Sequence, residues 1–127
     1  MDLNKDLRIL VVEDNGNIRK LLMNILKSMG FKNLAEADNG KTAWDKIQGA
    51  EYDLVMTDWM MPEMDGLELV KKIRNESVEH KDLPILMITA TDKQEDVAEA
   101  AKWGVSGYIV KPFSVKTIFA KISQVSA

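Results

Sequence analysis

The chain is 127 residues long, with 46% hydrophobic residues, 29% charged residues and a net charge of -3, which is ordinary for one globular domain. Interspersed charges of both signs exclude the cationic footprint of a nucleic-acid binder. No cysteine is present, so disulfides and thiolate metal sites are excluded, and no apolar run is long enough for a membrane span. The N-terminal MDLNKDLR lacks the parts of a signal peptide, so we expect a single cytoplasmic domain over residues 1–127.

The first half of the chain alternates predicted strands and helices. LRILVVE (Leu7–Glu13) is short, apolar and β-branched, as is typical of a buried strand. An apolar stripe at helical spacing from Ile18 to Met29 predicts a helix, which Gly30 closes. NLAEA (Asn33–Ala37) is predicted to be a weaker strand, and Lys41–Gln48 a short helix.

The second half continues the same alternation. Three apolar runs are predicted strands: YDLVMTD (Tyr52–Asp58), PILMITA (Pro84–Ala90) and GYIVK (Gly107–Lys111). Three helices are predicted around them: Leu67–Asn75, a helix from a capping box at Asp92–Glu95 to Trp103, and a helix capped by Ser114 with Val115, Ile118, Phe119, Ile122 and Val125 on one face.

Strict alternation of strands and helices predicts an α/β fold with a five-stranded parallel sheet, helices on both faces and right-handed crossovers. The strands are continuously apolar rather than alternating, which agrees with burial on both faces. In such sheets, ligands bind outside the carboxyl ends of the strands. The residues at those ends are therefore the first candidates for a site.

Polar side chains stand at the carboxyl ends of four predicted strands. Glu13 and Asp14 follow the first strand, Asp58 the third, Thr89 the fourth and Lys111 the fifth. Two carboxylates ~4 Å apart repel by about 4 kcal/mol at an effective dielectric of 20. Three converging carboxylates therefore require a cation, or one of them stays protonated.

The donor set favours Mg²⁺ as that cation. Carboxylate oxygens without cysteine or histidine are hard ligands, and Mg²⁺ binds few carboxylates together with phosphate. Lys111 and Thr89 would then bind an anion that joins the site. Each residue alone has an ordinary explanation as a turn former, a cap or a surface group, so only their coincidence favours a functional site.

The motifs DWMMPEMDG, ILMITA and SGYIVKPF, together with the acidic pair, complete a recognisable pattern. The chain resembles the receiver domain of two-component response regulators along essentially its whole length, and most closely the chemotaxis members. The resemblance implies a doubly wound, flavodoxin-like sheet with strand order 2-1-3-4-5. It also implies that Asp58 accepts a phosphoryl group, and that Glu13, Asp14, Asp58 and the backbone carbonyl of Met60 hold Mg²⁺.

The same resemblance assigns roles to three further residues, of which Thr89 and Tyr108 are the switch residues. Thr89 matches the hydroxyl that turns toward the phosphoryl group, and Lys111 matches the lysine that contacts it. Tyr108 matches the aromatic residue that packs inward on activation. The Lys111–Pro112 peptide bond is expected to be cis, as in relatives.

The implied function is a phosphorylation-activated signalling receiver rather than an enzyme. Its kinase would be a CheA-like sensor histidine kinase, and its output a changed face of helix 4, strand 5 and helix 5 read by a flagellar motor switch protein. We expect a monomer that binds neither nucleic acid nor membrane. The alternatives are a phosphorelay or phosphate-sink receiver, and a receiver cut from a longer regulator.

Two other classes of protein fit the sequence less well. A haloacid dehalogenase-type phosphatase needs a second Asp two residues after its nucleophile, where this chain has Met60. A flavodoxin-like module needs a Ser-, Thr- and Gly-rich phosphate loop, where this chain has Glu13-Asp14-Asn15.

Four residues depart from the pattern of the chemotaxis receivers. Glu13 replaces the usual Asp, and Met60 and Thr91 occupy two positions that tune the lifetime of the phosphoryl group. Trp103 replaces a small residue, which either enlarges the partner-binding face or packs at the end of its helix.

Overall fold

A computed structural model describes residues 4–61, 63–76, 81–90 and 93–126. Strands and helices alternate in the predicted order. They are β1 (Arg8–Val12), α1 (Gly16–Ser28), β2 (Asn33–Ala37), α2 (Gly40–Gly49), β3 (Leu54–Asp58), α3 (Gly66–Glu76), β4 (Ile85–Thr89), α4 (Gln94–Lys102), β5 (Gly107–Val110) and α5 (Val115–Ser126).

The five strands form one parallel sheet in the order β2-β1-β3-β4-β5, so the predicted topology is confirmed. The order reverses between β1 and β3, which is where ligands bind in sheets of this kind. Glu13 follows β1 and Asp58 ends β3. The reversal therefore places these two acids side by side, although they are far apart in the chain.

Apolar side chains fill both faces of the sheet. One buried cluster includes Leu26 of α1 and Ile122 of α5, and the other includes Ile47 of α2 and Ile73 of α3. Every residue of β3 and β4 is buried, which explains why these two strands read as continuous apolar runs rather than alternating ones.

Most differences from the predicted elements are at their ends. β2 has the predicted bounds, and the other four strands are shorter than predicted, so Glu13 and Lys111 lie just beyond β1 and β5 instead of inside them. Gly30 has φ +98° just beyond α1, as predicted for a residue that ends a helix. The Lys111–Pro112 peptide bond is cis, as expected from the resemblance.

Of two predictions about the last helix, one is confirmed and one needs correction. Ser114 caps α5 by accepting a hydrogen bond from the Thr117 N–H at 3.1 Å. Val115 and Phe119, however, are 51% and 40% exposed, so the prediction that they face the core is wrong. They lie on the flank of the stripe whose centre, Ile118 and Ile122, is buried.

Thr91 and the Asp92 of the predicted capping box fall outside the described residues, as do His80 and the Pro62 of the DWMMPEMDG motif. The α4 helix begins at Gln94, and Lys93 at its N-cap position provides no side-chain cap. Among the described residues, no helix combines the length and the apolar character that a bilayer crossing requires.

Candidate functional site

The turn from β1 to α1 supplies two acids with different environments. The Glu13 N–H donates to the Ala37 carbonyl at 3.1 Å, which continues the β1–β2 pairing by one residue. Asn15 then starts α1 by accepting hydrogen bonds from the N–H groups of Asn17 and Ile18. In this arrangement Glu13 is buried, whereas Asp14 is exposed.

Asp58 is held in place at the end of β3 by its own neighbours. The Trp59 N–H donates to its Oδ1 at 2.9 Å. The Gly66 N–H donates to the Trp59 carbonyl at 2.8 Å, and a Cβ on Gly66 would stand 2.1 Å from the Asp58 carbonyl oxygen. The first turn of α3 therefore packs directly against the Asp58 backbone, and only glycine fits there.

Lys111 directly follows the edge strand β5, and its side chain reaches the acids. Its Nζ lies 3.2 Å from Glu13 Oε1 and 3.3 Å from Asp58 Oδ2. Its backbone N–H donates to the Thr89 carbonyl at 2.8 Å, so the β4–β5 pairing fixes its position. Burial alone would lower the pKa of the Lys111 ammonium, but Asp58 and Glu13 together outweigh burial, and the pKa is raised.

The three carboxylates form a cluster that a divalent cation fits. One oxygen from each of Glu13, Asp14 and Asp58 lies within 4.8 Å of the others. Burial, and then the adjacent Asp58, raises the pKa of Glu13 to about 8. Glu13 Oε2 is buried and has no hydrogen-bond partner among the described residues. A hard divalent ion would use that oxygen and relieve the crowding of negative charge.

Thr89 and Met60 are near Asp58 by strand register and by position in the chain. Thr89 ends β4 and is buried, and it follows Ile88, the residue paired with Asp58 across the sheet. Met60 lies on the loop after β3 with its side chain 74% exposed. Thr89 therefore lies one residue beyond the strand partner of Asp58, and Met60 lies two residues after Asp58 in the chain.

Tyr108 on β5 packs against Trp59, the residue that follows β3. Its ring meets that of Trp59 edge-on, with the two ring centroids 6.3 Å apart. Its hydroxyl is buried without a hydrogen-bond partner among the described residues. Burial, helped by Asp96, raises the pKa of Tyr108 to about 12. Tyr108 thus contacts the residue immediately after Asp58.

The sequence prediction missed one residue of the site and one contact. Arg19 reaches from α1 to the Glu13 carbonyl, with its Nη1 2.8 Å from that oxygen. In the sequence, Arg19 stands out only as a charged residue that directly follows Ile18, within the apolar stripe of the first helix. The Trp59–Tyr108 contact depends on side-chain directions across two strands, and no local pattern predicts it.

Trp103 is half-buried and packs at the end of α4. It lies against the buried cluster that includes Ile73. The Lys71 ammonium of α3 stands 5.3 Å from the centre of the Trp103 ring. Of the two alternatives, packing at the end of α4 is the one that the structure supports.

Comparison with known proteins agrees with this geometry. Residues 9–123 match the family described as the response regulator receiver domain. The chain is 46% identical to the chemotaxis protein CheY-3 of Vibrio cholerae over 123 residues, which cover 97% of this chain and 94% of that protein. It is 41% identical to the chemotaxis protein CheY of Pseudomonas aeruginosa over 120 residues, which cover 94% and 95% of the two chains.

Solved structures show the same fold. The Vibrio cholerae chemotaxis protein CheY4 superposes with a TM-score of 0.88 at 33% identity, covering 94% of this chain and 98% of that one. The Francisella response regulator 1452 receiver domain superposes with a TM-score of 0.86 at 28% identity, covering 95% and 97%. Because the family match and the similarity to the chemotaxis proteins both span nearly the whole chain, the chain belongs to the response regulator receiver family, on its CheY-like branch.

Proposed function

We propose that this receiver takes a phosphoryl group from a histidine kinase onto Asp58, with Mg²⁺ held by Glu13, Asp14, Asp58 and the Met60 backbone carbonyl. The observation that carries the proposal is the convergence of Lys111 with the carboxylate cluster at one edge of the sheet. An ammonium between two carboxylates is arranged to receive a further anion once a divalent ion offsets the acids.

The proposed step is a displacement at phosphorus. A carboxylate oxygen of Asp58 forms a bond to the phosphorus atom of the donor's phosphohistidine, the N–P bond breaks, and its electron pair returns to the histidine nitrogen. The bound Mg²⁺ would supply positive charge beside the phosphoryl oxygens. Lys111 would neutralise a second oxygen, and charge neutralisation with positioning is most of what phosphoryl transfer requires.

The product changes the charge that Thr89 and Lys111 face. A phosphoryl group offers acceptor oxygens that both side chains bind only in the phosphorylated state, so they shift the conformational equilibrium of the loop after β4 and of Tyr108. The protein assists its own phosphorylation and is not a turnover enzyme. We propose that it acts as a monomer.

An exposed apolar surface on β5 and α5 supports output by protein contact. Val110, Val115 and Phe119 are 41%, 51% and 40% exposed. We propose that a partner reads the α4, β5 and α5 face after phosphorylation, with CheA-like kinase input and a flagellar motor switch protein as the output. If beryllofluoride, which mimics the phosphoryl group, did not change partner capture in a pull-down, a phosphate-sink role would be favoured instead.

Phosphorylation by a small acyl phosphate tests the proposal directly. With acetyl phosphate and Mg²⁺, the protein should gain one phosphoryl group in its intact mass, and EDTA should prevent the gain. Asp58→Asn should abolish it, while Asp45→Asn, an exposed carboxylate on α2, should leave it unchanged. Uptake by Asp58→Asn at the wild-type level would refute the assignment.

A further inference from the structure

The backbone of Glu13 is held by hydrogen bonds on both of its sides, at its N–H and at its carbonyl. The Glu13 N–H donates to the Ala37 carbonyl at 3.1 Å. The Glu13 carbonyl, which belongs to the peptide leading into Asp14, accepts a hydrogen bond from Arg19 Nη1 at 2.8 Å. Since β1 ends at Val12, Arg19 supplies at this position a partner from outside the sheet.

Arg19 is itself fixed by contacts on neighbouring elements. Its Nε lies 2.8 Å from Glu36 Oε1 on β2, and its side chain is only 23% exposed. Its backbone N–H donates to the Asn15 carbonyl at 2.9 Å in the capped first turn of α1. The planar guanidinium therefore spans a carbonyl and a carboxylate at once, a geometry that an ammonium group cannot reproduce.

The orientation of that peptide decides where two acids point. A change of the ψ angle of Glu13, which the hydrogen bond from Arg19 to its carbonyl resists, would turn the Asp14 side chain relative to those of Glu13 and Asp58. We propose that Arg19 is a positioning residue, which holds this peptide so that both carboxylates face the metal position. The inference rests on the proposed function, because it concerns the same Mg²⁺ site.

Glu36 explains how a cation is tolerated so near a cation site. Its carboxylate pairs with the guanidinium and offsets its charge, so Arg19 contributes mainly a directed hydrogen bond. The proposal therefore predicts the direction in which the affinity for Mg²⁺ changes when Arg19 is removed. If Arg19 acted only through its charge, its removal would tighten Mg²⁺ binding, whereas loss of positioning weakens it.

A titration of Arg19→Met with Mg²⁺, monitored by tryptophan fluorescence, tests this direction. Met keeps much of the apolar stem but lacks the donor and the charge. We expect the Kd for Mg²⁺ to rise about tenfold, which is typical when a group that orients a metal ligand is removed. The matched control is Lys20→Met, an exposed neighbour on α1 with the same charge change, which should change Kd less than about twofold.

Thermal unfolding in EDTA measures the stability of each variant without metal, so that a general loss of stability can be told apart from weaker Mg²⁺ binding. Arg19→Lys keeps the charge and serves as the second variant if Arg19→Met does not fold, and its Kd should also rise. An unchanged or lower Kd in the folded variants would overturn the inference, even if their melting temperatures fell. A wild-type protein without any Mg²⁺ response would instead contradict the proposed function on which the inference depends.

Discussion

Glu13 is buried beside Asp58. Burial, and to a smaller extent this neighbour, raises the pKa of Glu13 to about 8 from an ordinary 4.5. Between these two pH values, the folded metal-free protein binds a proton that the unfolded chain does not. The stability from this group is therefore fully present below about pH 4.5 and is lost as the pH rises through about 8. The same proton must leave before Glu13 can serve as a metal ligand.

Thermal unfolding in EDTA across this pH range measures that linkage. We expect the melting temperature of the wild type to fall between pH 5 and pH 8 relative to that of Glu13→Gln, because the amide cannot ionise. Parallel curves for the two proteins would show that Glu13 titrates as it does in the unfolded chain.

Trp59 is placed to report on its neighbour Asp58. Its N–H donates to the Asp58 carboxylate and its ring contacts Tyr108. Lys72 and Lys71 of α3, by contrast, stand over the rings of Trp44 and Trp103. We expect Trp59→Phe to lose most of the fluorescence response to Mg²⁺, and Trp103→Phe to keep it. A full response in Trp59→Phe would assign the signal to another tryptophan.

Helix α3 shows how an element positions a reactive side chain. Gly66 lets its first turn approach the Asp58 carbonyl more closely than any side chain permits, since a Cβ would lie 2.1 Å from that oxygen. In the sequence, the Asp65-Gly66 pair before the predicted helix has only the composition of an ordinary turn. The need for glycine came from packing between elements, and spacing along the chain does not show it.

Gly66→Ala tests this close approach. We expect the free energy of unfolding to fall by about 1–3 kcal/mol or more, because the added methyl group forces α3 away from β3. Gly49→Ala is the matched control, since a Cβ there meets nothing within 4 Å, and it should be neutral or stabilising by up to about 1 kcal/mol. Chemical denaturation of both variants measures the difference, and equal stabilities would refute the steric argument.

The overall fold could be predicted because the strand pattern and the helix pattern of the sequence indicated the same architecture. Short apolar strands alternated with amphipathic helices, and a parallel sheet brings all strand ends to one edge. That rule placed Lys111 beside Glu13 although 98 residues separate them. It could not predict contacts that depend on side-chain direction between elements, such as those of Arg19 with Glu36 and of Tyr108 with Trp59.

Binding of Mg²⁺ should stabilise the whole molecule by linkage. An ion that binds only the folded arrangement of carboxylates should, at a concentration of 100 times its Kd, add about 2.7 kcal/mol to the free energy of unfolding. Thermal unfolding with increasing Mg²⁺ measures the gain, and Asp14→Asn should reduce it. No shift in the wild type at millimolar Mg²⁺ would contradict the metal site.

The site of phosphoryl attachment tests the central claim most directly. After reaction with acetyl phosphate and Mg²⁺, borohydride reduces an aspartyl phosphate to an alcohol, which peptide mass spectrometry can locate in the chain. The modification should occur at Asp58, and it should be lost when Lys111 is changed to Met or Mg²⁺ is removed. Modification at Asp14 or at another carboxylate, or none at all, would contradict the account.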